Sequence, residues 1–220
     1  MEMESLRELY VEELKDLWSA ETQITKALPK MMKAATNPKL KKAFNTHLKQ
    51  TERHVKRLER IFKELDESPR GKKCVGMEGL IKEGQELIKE KPEADVLDAG
   101  LISAAQHAEH YEIAGYGCVR TWARQMGEER QAELLQETLD EEEQTDRLLT
   151  ELAESEINVE AEEGDEEERP ATRSRGKQAS KRSGSSRNGG SSHEHEHTET
   201  DEEESEEVMV GSSGNRSGMM

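Results

Sequence analysis

Apolar residues recur at steps of three and four through four stretches of this chain. The first stripe runs Leu6, Tyr10, Leu14, Leu17, Ile24, Leu28 and Met31, and the second Leu40, Phe44, Leu58, Ile61 and Leu65. The third runs Ile102, Ala105, Tyr116, Val119, Ala123 and Met126, and the fourth Ala132, Leu135, Leu139, Leu149 and Ala153. A period near 3.6 places each set on one helical face, the face that a bundle buries. Each stripe is broken near its middle by polar residues. The breaks fall at Glu21, at His47, Thr51 and His54, at Glu109 and Glu112, and at Glu142 and Asp146.

The residues between the stripes predict where the helices stop. A first helix is expected over about 4–34, with Pro29 inside it as a kink or weak point. Thr36-Asn37-Pro38 is a short turn carrying a cap and a first-turn proline, so a second helix over 38–66 follows as an antiparallel neighbour. A connection over 67–94 holds a shorter amphipathic helix with Met77, Leu80, Ile81, Leu87 and Ile88 on its apolar side. Helices over 95–126 and 128–154 complete the pattern, separated at Gly127. No strand-like alternation of useful length is present. Two helical hairpins joined by one long crossover make the all-α, ferritin-like four-helix arrangement.

Composition changes at about residue 156. From there the chain shows no apolar face, only acidic runs, a basic Ser/Arg/Gly stretch over 169–187 and Gly/Ser filler. Such a segment buries too little apolar surface to offset its ordering entropy and is expected to be disordered. The expected division is a helical domain over 1–155 and an acidic low-complexity tail over 156–220. Of the net charge of −17, the tail carries 17 acidic against 8 basic side chains. An acidic body argues against a phosphate-binding surface and so against nucleic acid. Cys74 and Cys118 make neither a disulfide framework nor a zinc site, and read as small buried residues. With no signal-like region and no apolar run of spanning length, a soluble cytoplasmic protein is expected, with no membrane partner. The run His193-Glu194-His195-Glu196-His197 reads as solvated low-complexity sequence.

The polar breaks carry the chemistry. Helix midpoints fall near residues 19, 52, 111 and 141, so all four breaks converge on one level of an antiparallel bundle. Taken singly, each acid more often faces solvent. Four helices interrupted at one level point instead to a shared interior. Burying one unpaired carboxylate costs several kcal/mol, and five (Glu21, Glu109, Glu112, Glu142, Asp146) would exceed a domain's net stability of about 5–15 kcal/mol. No lysine or arginine occupies the central part of the stripes. Two divalent cations would nearly balance the five acids, and carboxylate with imidazole suits iron or manganese better than zinc. His54 is the ligand candidate of the second helix. His47 reads as a core or supporting histidine, His110 as a supporting donor, and Tyr116 as packing with a hydroxyl within reach of a ligand.

Four segments resemble the YciE/YciF family of bacterial and archaeal ferritin-like stress proteins. They are Glu-Leu-Lys-Asp-Leu-Trp-Ser-Ala-Glu-Thr-Gln (13–23), Lys-Cys-Val-Gly-Met-Glu-Gly-Leu-Ile (73–81), Ala-Gln-His-Ala-Glu-His-Tyr-Glu-Ile-Ala-Gly-Tyr-Gly (105–117) and Glu-Thr-Leu-Asp-Glu-Glu (137–142). The resemblance covers about residues 5–155. It implies a bundle with an extra crossover helix, a homodimer, and two iron or manganese ions held by Glu21, Glu109, Glu112, Glu142 and Asp146, with Gln50 and His54 from the second helix. Ferritin-like enzymes usually carry Glu-x-x-His on the second and fourth helices. This chain departs from that pattern on both. The leading expectation is an oxidative-stress protein that handles hydrogen peroxide or oxygen in a catalase- or peroxidase-like way. Iron sequestration of the ferroxidase type and a structural stress-response dimer are the alternatives.

Overall fold

The computed structural model describes residues 4–167, with side chains as far as residue 163. Five helices build the bundle: α1 (Leu6–Ala34), α2 (Pro38–Leu65), α3 (Val75–Glu90), α4 (Ala94–Gln125) and α5 (Glu129–Leu152). A π-helical turn, Ala153–Ile157, then leads into α6 (Asn158–Glu167). The long helices pair as the hairpins α1–α2 and α4–α5, and α3 is the crossover, packed on α1 and α4. The all-α bundle with a helical crossover is the one its apolar spacing predicts.

Local chemistry explains the boundaries. Ser5 and Glu8 form a reciprocal capping box: Glu8 N–H donates to Ser5 Oγ at 3.2 Å and Ser5 N–H to Glu8 Oε2 at 3.0 Å. Pro29 does not end α1, which continues to Ala34. It lies on the exposed side, where water can satisfy the carbonyl it frees. Asn37 caps α2 by accepting from Lys39 N–H at 2.8 Å and Leu40 N–H at 3.3 Å, with Pro38 in the first turn. Buried Asp98 on α4 then locks this turn, accepting from Thr36 N–H at 2.8 Å and Asn37 N–H at 2.6 Å. The α4–α5 turn uses Gly127 at φ +78°, backbone that side chains rarely adopt.

Two expectations need correction. Helical backbone does not stop near residue 154 but continues to Glu167. Leu152, Ala153 and Ile157 remain buried, and the π turn shifts the helix's phase so that all three meet the core. Glu156 is held beside this turn by Asn37 Nδ2, which donates at 2.9 Å, and by Lys39. Cys118 is exposed, whereas Cys74 is buried with its thiol accepting from Met77 N–H at the start of α3. The expected disorder of the tail beyond residue 167, and the histidine run within it, lie outside the described residues. No helix among the described residues is long and apolar enough to cross a membrane.

The apolar interior is divided in two. One half-core is built on Ile24, Leu28, Leu40, Phe44, Leu101, Ile102 and Leu149, the other on Tyr10, Leu14, Leu17, Leu58, Ile61, Tyr116 and Leu135. The polar breaks of four stripes meet between the two halves, at the waist of the bundle.

Candidate metal centre

At the waist, α1 contributes Glu21, α2 His47, Thr51 and His54, α4 Glu109 and Glu112, and α5 Glu142. None is more than 3 % exposed. Each lies on its helix's buried stripe, so burial follows from the apolar neighbours one and two turns away. Their donor atoms converge into two groups: Glu21, His54 and Glu142 form one, and His47, Glu109, Glu112 and Glu142 the other. Glu142 belongs to both.

The distances show how close the groups are. His54 Nδ1 lies 2.9 Å from Glu142 Oε1 and 3.3 Å from Glu21 Oε1. His47 Nε2 lies 3.0 Å from Glu109 Oε1, and its Nδ1 lies 3.8 Å from Glu142 Oε2. Tyr116 O–H donates to Glu21 Oε1 at 2.5 Å. Four buried carboxylate oxygens nevertheless have neither a hydrogen-bond partner nor a histidine against them: both oxygens of Glu112, and Oε2 of Glu21 and of Glu109. Such atoms are costly unless something with positive charge meets them.

The titration behaviour of the waist reports the same stress. Burial pushes Glu112 well above the usual carboxylate range, with Glu21, Glu142 and Glu109 adding to it. Burial also raises Glu21, against the pull of His54, and raises Glu109 to about 8, against His47. Burial pushes Glu142 up too, but His54 and His47 outweigh it and hold that carboxyl below its ordinary value. The histidines answer in kind. Burial alone would lower both, yet Glu109 lifts His47 to about 9, while Glu21, Glu141 and Glu142 lift His54 to about 12.

Around the waist, a supporting layer selects which nitrogen of each histidine faces the acids. His54 Nε2 lies 2.7 Å from Glu141 Oε2, and Glu141 is itself gripped by Arg57 Nη1 at 2.7 Å and Arg53 Nη2 at 3.0 Å. Thr145 O–H donates to the Glu141 carbonyl at 3.0 Å, leaving its lone pair for His47 Nδ1 at 3.2 Å. Both rings are therefore oriented through residue 141, and His54 Nδ1 and His47 Nε2 are the nitrogens turned toward the carboxylates.

The donor set fits two divalent cations. Four carboxylates and two imidazoles give −4 against +4, with the oxygen-rich chemistry that iron and manganese accept. The same composition, four glutamates and two histidines, is that of ferritin-like di-metal carboxylate sites, but two places have moved. Thr51 stands three residues before His54 where a glutamate is usual, and Glu109 supplies the acid from α4 instead. Thr145 stands three residues after Glu142 where a histidine is usual, and His47 reaches across from α2 to the same spot.

Of the residues singled out in the sequence, Glu21, His54, Glu109, Glu112 and Glu142 come together. Asp146 stands apart, half-buried and in neither group, and Gln50 is only half-buried on α2. Asp146 accepts from Gln106 Nε2 at 3.0 Å and lies 3.3 Å from Nε2 of exposed His110, so the carboxylate that His110 meets lies outside both groups. His47, expected only as support, joins the second group, and Glu141 was not foreseen. The signal for His47 was its distance of seven residues, two turns, from His54 on one stripe. Glu141 lies off the stripe and left no such signal.

Comparison with known proteins places this geometry in context. Residues 5–162 match a family described as a domain of unknown function, DUF892. Protein YciF of Escherichia coli strain K12 is 44 % identical over 163 residues, covering 74 % of this chain and 98 % of that one. The crystal structure of the E. coli stress protein YciF matches with a TM-score of 0.69 at 43 % identity, over 71 % of this chain and 99 % of that one. YcfI of Rhodopseudomonas palustris, described as a candidate structural protein, matches at 0.66 and 39 % identity, over 68 % and 95 %. A Xanthomonas campestris protein, 20 % identical with a TM-score of 0.59 over 73 % of this chain and 99 % of that one, shares the fold.

Proposed function

This chain belongs to the DUF892 family of YciF-like stress proteins, and from that premise we propose that its waist is a di-metal redox centre, iron or manganese, that handles a small oxidant, peroxide or oxygen. One observation carries the reading: four buried glutamates and two histidines face one another, and both oxygens of Glu112 with Oε2 of Glu21 and of Glu109 have no hydrogen-bond partner. A purely structural polar layer would pair those atoms with each other or with backbone.

In this reading Glu21, His54 and Glu142 would hold one ion and His47, Glu109 and Glu112, again with Glu142, the other. The bound ions supply redox and Lewis-acid chemistry. The chain's own residues set the conditions for it. Tyr116 holds one oxygen of Glu21 by its hydroxyl and leaves the other free. Glu141 and Thr145 fix the ring tautomers, and the two apolar half-cores keep bulk water out of the waist. The resemblance adds a homodimer as the working form.

The test is metal analysis of untagged full-length protein, followed by peroxide and oxygen consumption after loading with iron or manganese. Two bound equivalents, and turnover lost in a Glu109→Ala/Glu142→Ala variant, support the proposal. Uptake and oxidation of iron without sustained turnover would favour sequestration of the ferroxidase type. The description of the R. palustris relative favours a second reading, a structural stress protein. No bound metal, with thermal stability indifferent to chelators, would establish that reading instead.

A further inference from the structure

A cavity of about 40 Å³ lies between α1, α3 and α4 and ends on His47 and Glu109. Its walls are aliphatic, with Leu28 from α1, Ile81 from α3 and Ala105 from α4. Lys30 and Gln85, which are exposed and half-exposed, stand toward the surface. Small residues, Gly84 and Ala108, form part of its wall, and a Cβ on Gly84 would stand in van der Waals contact, 3.4 Å, with Ala104 Cβ. The crossover helix thus covers a gap whose lining includes His47 and Glu109.

The polarity of this space is selective. It has room for a water molecule, but water needs two to four polar partners, and the aliphatic walls offer none short of His47 and Glu109. Hydrogen peroxide, a double donor and acceptor, would surrender its hydrogen bonds to water along the same walls without replacement. A nonpolar diatomic gas surrenders nothing. We propose that this cavity is a binding and access site for a small nonpolar ligand of dioxygen's chemistry, delivering it to the His47–Glu109 side of the waist. The inference rests on the metal reading for its purpose and narrows the oxidant to oxygen, but the cavity's own ligand preference can be measured without metal.

Two measurements on the full-length protein test it. Metal-free crystals pressurised with xenon should show xenon beside Ala105 and Ala108, and Ala108→Leu should abolish that site. After loading with Fe(II), Ala108→Leu should slow oxygen consumption about tenfold while the reaction with hydrogen peroxide changes less than about twofold. If Ala108→Leu fails to fold, Gly84→Ala, which adds one methyl beside Ala104, is measured in its place. An unfilled cavity under xenon overturns the proposal, and so does equal slowing of both oxidants. A chain that takes up no Fe(II) defeats the metal reading alone, and xenon then decides the cavity.

Discussion

Nε2 of His54 lies 2.7 Å from Oε2 of Glu141, and that contact commits the other ring nitrogen to the buried acids Glu21 and Glu142. Arg57 and Arg53 keep Glu141 ionised: burial raises its carboxyl, but His54 and the two arginines together hold it well below the usual range. Removing this carboxylate frees the His54 ring to flip or change tautomer. Glu141→Ala is expected to weaken metal binding about 10–100-fold while leaving the bundle folded. Glu141→Gln, which can still accept through its amide oxygen, should recover part of that loss. Calorimetric titration with Mn(II) reads both variants, and unchanged affinity in both would remove Glu141 from the site.

Glu142 is shared between the two buried groups, whereas Glu21 serves one. Glu142→Gln should therefore reduce bound metal from about two equivalents to below one, and Glu21→Gln to about one. Elemental analysis after desalting distinguishes them. Equal losses in the two variants would mean that the positions are not joined through Glu142.

The sequence made the four stripes, their shared interruption and the crossover helix legible, because helical period and capping chemistry are local properties. Glu21, His54, Glu109, Glu112 and Glu142 followed from their places on those stripes. What stayed hidden depends on rotation between helices. Asp146 lies four residues after Glu142, yet α5 presents Thr145 to the waist and turns Asp146 toward Gln106 and His110. Spacing placed His47 on the same face as His54, but that it meets Glu109 depends on how α2 packs against α4, which residue spacing along one helix does not contain. The end of the last helix was missed for a related reason. A π turn adds a residue to the repeat and moves Ile157 into the core, out of step with a 3.6 period.

In the metal-free protein, stability should fall as pH rises from about 6.5 to 8. Folded His47 keeps its proton to about 9 and His54 to about 12, whereas both release it near 6.5 when unfolded. Glu109 keeps its proton to about 8 when folded, against 4.5 unfolded. Over this window the folded chain binds more protons than the unfolded one, so unfolding becomes easier with rising pH. Glu141 and Glu142, held low, titrate beneath the window and do not oppose it. Each kcal/mol lost should lower Tm by about 2–4 °C for a domain of this size. Metal displaces the protons, so the loaded protein should lose this slope. Differential scanning calorimetry across the range, with and without Mn(II), checks it.

Asp98 serves stability alone. Its carboxylate accepts from Thr36 N–H, Asn37 N–H and Thr36 O–H, the last at 2.7 Å, and so fastens the α1–α2 turn to the start of α4. Asp98→Ala removes these bonds and leaves the buried Asn37 N–H without its acceptor, which should cost about 1–3 kcal/mol. Urea denaturation measures the loss. Metal content of the folded fraction should not change, since the turn lies at the end of the bundle and the acids at its middle.

The final prediction sets His47 against Asp146. His47 Nε2 faces Glu109 at 3.0 Å inside the waist, whereas Asp146 is engaged outside it with Gln106 and His110. His47→Ala should weaken metal binding by at least about tenfold, and Asp146→Asn should leave it within about twofold. Thr145→Val provides the link between them. It removes the lone pair that receives His47 Nδ1–H, so the ring loses its tautomer preference while keeping its place, and affinity should fall by less than in His47→Ala. All three are read by the same Mn(II) titration. Weakening by Asp146→Asn with none from His47→Ala would require α5 to turn about its axis when metal binds, exchanging Thr145 for Asp146 at the waist.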